Sequence, residues 1–228
     1  MSRAFGCFLL LILTSCAGAP PTAPDESSAW GYVRIVPREG VEAGSAAGGY
    51  GDRRLKNVAF VDYSRPGFVV VYADAGTATS GAVELALREG VSGPRFEPAL
   101  AAVGLGGTIE LRNETSAPQI LSAREAGRIE TLAPGARVRL PAGEPGENGF
   151  FLLSASRAEA RVFVSPGPFA VASESGRYDL VGVGPGRHRL VAWHPRFPST
   201  AHWVELAAGA ATRVDIELGV DRPHEVGR

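Results

Sequence analysis

Sulfur is scarce in this chain of 228 residues. The only methionine is Met1, and the only two cysteines, Cys7 and Cys16, fall in the first sixteen residues. Beyond residue 16 there is therefore no disulfide, no cysteine nucleophile and no thiolate or thioether ligand for a metal. Net charge is nearly absent too. Against 24 Asp and Glu stand 23 Lys and Arg, leaving −1, which removes the bulk electrostatic case for nucleic acid. Lysine is all but missing, with Lys56 standing alone. We read the arginine excess as coding bias and not as a basic binding surface. No run after residue 16 is apolar enough to cross a bilayer. No G-x-S-x-G, H-E-x-x-H or paired-carboxylate motif occurs, so the chain is expected to be no enzyme and to carry no cofactor.

Glycine (29) and proline (17) are plentiful and scattered. That punctuation suits many short strands joined by turns and argues against long helices, which predicts an all-β protein. Strands are expected at 32–36, 55–62, 68–72, 82–88, 96–103, 108–112, 128–132, 136–140, 149–154 and 160–164, with more after residue 177. In 82–88, Val83, Leu85 and Leu87 alternate with Ala82, Glu84, Ala86 and Arg88, the period of a half-buried strand. A short helix is the competing reading there, since Ala, Glu and Leu favour one. Run 68–72 reads as buried on both faces. Gly104-Leu105-Gly106-Gly107 and Ala133-Pro134-Gly135 are turn signals. Residues 38–54 are a glycine-rich loop without the Lys and Ser/Thr spacing of a phosphate cradle.

The first sixteen residues, MSRAFGCFLLLILTSC, place Arg3 before the apolar run 8–13. The run is too short to span a membrane and reads as a secretory signal. Its end, Leu13-Thr14-Ser15-Cys16, resembles the bacterial lipobox. The resemblance implies that 1–15 is cleaved and that Cys16 becomes the first mature residue. Cys16 would then carry a diacylglycerol thioether and an acylated amine, the more than one chain that stable anchoring requires. The partner implied is the membrane, reached through that lipid. Ala17 follows where Asp is absent, which by analogy favours the outer membrane, on its periplasmic side or at the cell surface. Residues 16–29, small and rich in proline, read as a flexible tether.

Two stretches of the body resemble known families. Arg95 to Ser122, RFEPALAAVGLGGTIELRNETSAPQILS, resembles the middle of cupredoxin-like domains of the plastocyanin and methylamine-utilization kind. There an F-x-P strand and a glycine turn lead to a strand ending in Asn, and the next loop delivers a copper-binding His. Here that loop delivers Pro118-Gln119. The family's remaining ligands, a Cys, a His and usually a Met, belong to a later connection, which here reads Ser154-Ala155-Ser156-Arg157-Ala158-Glu159. A blue-copper site needs two His and a thiolate with a weak axial ligand, so the resemblance implies a Greek-key β-sandwich over 30–165 without its copper. The second stretch, FAVASESGRYDLVGVGPGRHRLVAWHP, resembles the later half of carboxypeptidase regulatory-like domains. These are small immunoglobulin- or transthyretin-like β-sandwiches, usually non-catalytic, and the resemblance implies one over 166–220. Within it, 201–206 and 212–218 are expected to form a hairpin. Residues 221–228 are left as a tail.

The functional expectation is a non-enzymatic, envelope-anchored binding or structural module, with a glycan or an envelope protein as partner. Two alternatives stay open. Trp193, Phe197 and Trp203 could stack on sugar rings, or they could be core residues. His188, His194 and His202 could cluster to hold zinc or copper and support electron transfer, or His194-Pro195 could belong to the family turn with the others at the surface. Asn113-Glu114-Thr115 matches a glycosylation sequon, which carries little weight in a bacterial lipoprotein.

Overall fold

A computed structural model describes residues 18, 19, 22, 26–39 and 63–227, of which 155–157 by their backbone alone. Among the described residues there are strands and turns but no helix. The strands pack around two separate apolar cores, so the all-β sandwich class expected from the sequence is the one observed. The expected lipidation site Cys16 and the expected strand 55–62 lie outside the described residues.

The first core is enclosed by two sheets. One contains β3 (Ala82–Arg88), β4 (Arg95–Glu97), β6 (Thr108–Asn113) and β9 (Arg137–Pro141), in the order β4-β3-β6-β9. The other contains β5 (Leu100–Gly104), β7 (Gln119–Ala123), β8 (Arg128–Leu132), β10 (Gly146–Leu152) and β11 (Ala155–Ser165), in the order β5-β11-β10-β7-β8. Two pairings, β3 with β6 and β5 with β11, are parallel, and the rest are antiparallel. This is the Greek-key sandwich that the cupredoxin-like resemblance implied. Strand alternation sends Leu85, Leu87, Leu111, Leu121, Phe150 and Val162 into the core. Each fully buried apolar side chain of that size contributes roughly 1.5–3 kcal/mol before entropy is counted. The expected single strand 96–103 is two strands in different sheets. Pro98 has no N–H for a ladder, so the chain leaves one sheet at Glu97 and joins the other at Leu100.

The second core lies between β13-β1-β16 with β17 on one side and β12-β2-β14-β15-β18 on the other. These strands are β1 (Ser27–Ile35), β2 (Val70–Ala73), β12 (Phe169–Val171), β13 (Arg177–Val183), β14 (Gly186–His194), β15 (Phe197–Leu206), β16 (Ala211–Arg213), β17 (Ile216–Leu218) and β18 (Glu225–Val226). Tyr178, Leu180, Leu190, Leu206, Ile216 and Leu218 fill it, and the Tyr178 hydroxyl donates to Val214 O at 2.7 Å.

This arrangement corrects four expectations. The boundary at 165/166 does not separate the sandwiches by sequence, because β1 and β2 belong to the second one, so the first sandwich (82–165) is inserted between β2 and β12. The tether cannot run to residue 29: Ser27, Ser28 and Ala29 are fully buried in β1, where the Ser27 hydroxyl donates to Val183 O at 2.7 Å. The tail is tied down, since β18 pairs in parallel with β15. Finally, 212–218 does not pair with 201–206. It runs parallel to β1, where Gly31 admits the Val214 carbonyl to within 2.0 Å of the place a Cβ would occupy.

The sandwiches meet face to face. Phe163, on the outer face of β11, stacks on Trp193 of β14 at 4.5 Å and lies 5.3 Å from Tyr72 of β2. Beside this contact the chain passes twice between the units, through residues 74–81 and 166–168. There the Ala73 N–H donates to Pro168 O at 3.0 Å, and the Leu105 N–H to Ser165 O at 2.9 Å.

Candidate functional site

The position that would hold copper in the resembling family is the end of the first sandwich where β6 stops, β7 starts and β10 turns into β11. Asn113 closes β6 with its side chain fully buried. Its Oδ1 accepts the Thr115 N–H at 2.9 Å, the local turn that Asn side chains favour, and its Nδ2 donates to Ala117 O at 2.9 Å and Leu132 O at 2.8 Å. Thr115 Oγ1 stands 2.7 Å from Asn113 Oδ1 and 2.9 Å from Ala117 O, with one proton to give. Gln119, at the position where the resemblance puts His, is buried and donates from Nε2 to Thr115 Oγ1 at 3.1 Å. Its Oε1 accepts the Ser154 hydroxyl at 3.0 Å, from the tight turn between β10 and β11. The cluster thus spans both loops that would supply metal ligands, and its amide and hydroxyl atoms are already paired with one another. Neutral amide and hydroxyl oxygens are poor ligands for copper beside imidazole and thiolate. The residues present do not fit a copper centre.

The histidines lie on the second sandwich, in β14 and β15. His194 is 8% exposed, and its Nδ1 accepts the Arg196 N–H at 2.9 Å, leaving the other nitrogen for the Pro66 carbonyl. Burial pushes its pKa down to about 4, so the ring is neutral at pH 7. His202, cross-strand from Leu190, is also pushed down by burial. Both nitrogens of His188 are buried without a hydrogen-bond partner among the described residues. A register shift between Ala192 and His194 breaks the alternation on which a shared face depended. Among the described residues no three His, Cys, Asp or Glu side chains come together as a metal site. The alternative of a His188, His194 and His202 cluster thus finds no support among the described residues.

The three aromatics form no common platform either. Trp193 is spent between the sandwiches, on Phe163 and, edge-on, on Phe68 at 6.5 Å. Phe197 packs on the second core against His194 at 4.9 Å. Trp203 lies under the Arg187 guanidinium at 5.0 Å and donates from Nε1 to Glu225 at 2.7 Å.

Sequence reasoning passed over a cavity of about 300 Å³ at the opposite end of the first sandwich, lined by Ile109, Leu140, Phe150, Glu125, Glu144 and Asn148 among others. Its parts come from four strands and two loops, and no motif joins them.

No family model matches the sequence, and no curated protein does. Among solved structures, the chain is similar to a purple cupredoxin from Nitrosopumilus maritimus, at 19% identity and a TM-score of 0.32 over 36% of this chain and 99% of that one. It is similar to the Cu(I) form of an amicyanin point mutant, at 12% identity and a TM-score of 0.32 over 42% and 98%. It is also similar to the metal-binding domain of the Cu(I)-exporting P-type ATPase CopA of Streptococcus pneumoniae, at 14% identity and a TM-score of 0.31 over 39% and 93%.

Proposed function

We propose that this chain is a non-enzymatic, lipid-anchored module of the bacterial cell envelope that acts in binding or scaffolding, with a polar plug in the place of a copper centre. The plug is the observation that supports this reading: Asn113, Thr115, Gln119 and Ser154 satisfy one another across both ligand-bearing loops. Breaking that network to admit a metal would leave buried polar groups unpaired, at about 1–3 kcal/mol each. Anchoring rests on the lipobox Leu13-Thr14-Ser15-Cys16, and an outer-membrane address on Ala17. Glycan capture has no shared face of Trp193, Phe197 and Trp203 to support it.

One preparation tests both halves. The full chain is produced in a bacterium, its mature N-terminus is weighed by mass spectrometry, and the protein is titrated with Cu(I) and Cu(II) under absorption spectroscopy. The expected result is an acylated Cys16 at the N-terminus and no tight stoichiometric copper. Tight one-to-one copper would overturn the plug, and an unmodified or uncleaved N-terminus would overturn the anchor.

A further inference from the structure

The far end of the first sandwich is open where β6 begins, β7 and β9 end and β10 begins. Ile109, Ala123, Leu140 and Phe150, core residues all, form the floor of a cavity of about 300 Å³ there. Its walls are the 124–127 turn and the loop that leads into β10. That volume is at the lower end of pockets that take small molecules.

The residues that line the cavity include no cation; Arg124, in the same turn, holds its guanidinium over the Phe151 ring at 4.7 Å. Glu147 is spoken for, meeting Arg161 at 3.3 Å. Glu125 Oε2 accepts the Gly149 N–H at 2.6 Å, but no ion pair reaches Glu125 among the described residues. The Glu144 carboxylate has neither a hydrogen-bond nor an ion-pair partner among them. An independent sign comes from Asn148, which is 8% exposed and whose place in the alternation of β10 turns it inward beside Phe150. Its Nδ2 reaches Glu144 O and Gly146 O only at 3.4 and 3.5 Å, and its Oδ1 accepts no hydrogen bond among the described residues. That oxygen is open to the cavity, where a ligand donor can reach it. An apolar floor beneath a rim with two carboxylates free of ion pairs disfavours anions and favours a cationic donor.

We propose that this cavity binds a small amphipathic ammonium ligand, a primary amine on a hydrocarbon body. The hydrocarbon lies on Ile109, Leu140 and Phe150, and the ammonium donates to Glu125, Glu144 and Asn148 Oδ1. An ammonium has three donors and no acceptor, which matches this rim. The inference is independent of the copper position, because the cavity lies at the other end of the sandwich.

The test is calorimetric titration of phenethylammonium into the full chain in a neutral detergent, with detergent alone as the blank. The neutral twin 2-phenylethanol and the anion 3-phenylpropionate are run beside it. The expected result is saturable one-to-one binding of the ammonium, weakened by salt, with the alcohol about tenfold weaker and the carboxylate unbound. Glu144→Gln, at an exposed rim position, is expected to weaken the ammonium about tenfold and leave the alcohol unchanged. Equal binding of ammonium and alcohol would overturn the proposal. So would absence of saturation to ~10 mM, or native affinity in Glu144→Gln.

Discussion

His194 shows what burial does to a single titratable group. The ring is held neutral between the Arg196 N–H and the Pro66 carbonyl, with its pKa pushed down to about 4 by burial. The free value is near 6.5. As pH falls through that interval the unfolded chain takes up the proton before the folded one does. The stability tied to the neutral ring is therefore complete above about 6.5 and lost progressively down to about 4. The loss is at most about 3 kcal/mol. His202, shifted in the same direction by burial, adds to the same slope. Urea unfolding at several pH values across this interval is expected to show stability falling with acid, and His194→Gln is expected to flatten the dependence. An equally steep profile in the variant would assign the slope to other groups. At this scale the sequence was legible by what it omits: with no His at Gln119 and no Cys near Ser154, copper was already doubtful. The network that replaces it was not legible, because its donors and acceptors lie as far apart as residues 119 and 154.

Among elements, the crossings between the sandwiches depend on missing side chains. A Cβ on Gly104 would stand 2.2 Å from Thr79 O, and one on Gly167 would stand 2.2 Å from Ala73 O. Thr79 lies in the segment that leads from β2 to β3 and Ala73 ends β2, so either added methyl would push the chain at that crossing out of place. Gly184, in the turn before β14, has nothing within 4 Å of its Cβ position. Gly104→Ala and Gly167→Ala are expected to cost about 1–3 kcal/mol each, and Gly184→Ala is expected to stay within about 0.5 kcal/mol. Chemical denaturation of the three variants checks this, and equal stabilities would show that the crossings yield freely. Sequence pattern found most strands, because alternation and turn residues are local signals. It failed at the crossings: 96–103 reads as one apolar run, yet its halves serve different sheets. The arginines also gain a meaning that composition could not supply. On the outer face of one sheet Arg137 and Arg139 meet Glu110 at 3.1 and 2.6 Å, and Arg88 meets Glu97 and Glu114 at 2.7 and 2.9 Å. Exposed pairs of this kind contribute little stability each, but they leave that face electrically balanced.

At the scale of the molecule, one sandwich is inserted into another. The outer one takes the central strand of one sheet, β1, and β2 of the other, from the N-terminal side of the insertion. A fragment of residues 166–220 is therefore expected to remain unfolded, whereas residues 78–167, which hold every residue of the first core, are expected to fold. Dispersion in a proton–nitrogen NMR spectrum of each fragment decides it, and a folded 166–220 would refute the shared origin of the second core.

The sequence by itself determined the all-β class, most strand positions, the lipobox signature and the absence of copper ligands. All of these are written in residue identity and short-range spacing. The insertion, the pairing of β1 with strands some 150 residues later, the polar plug and the acidic cavity were decided only by tertiary structure. Hydrogen-bonded pairing and burial join residues by distance in space, and local periodicity carries no record of which distant strand will satisfy an edge.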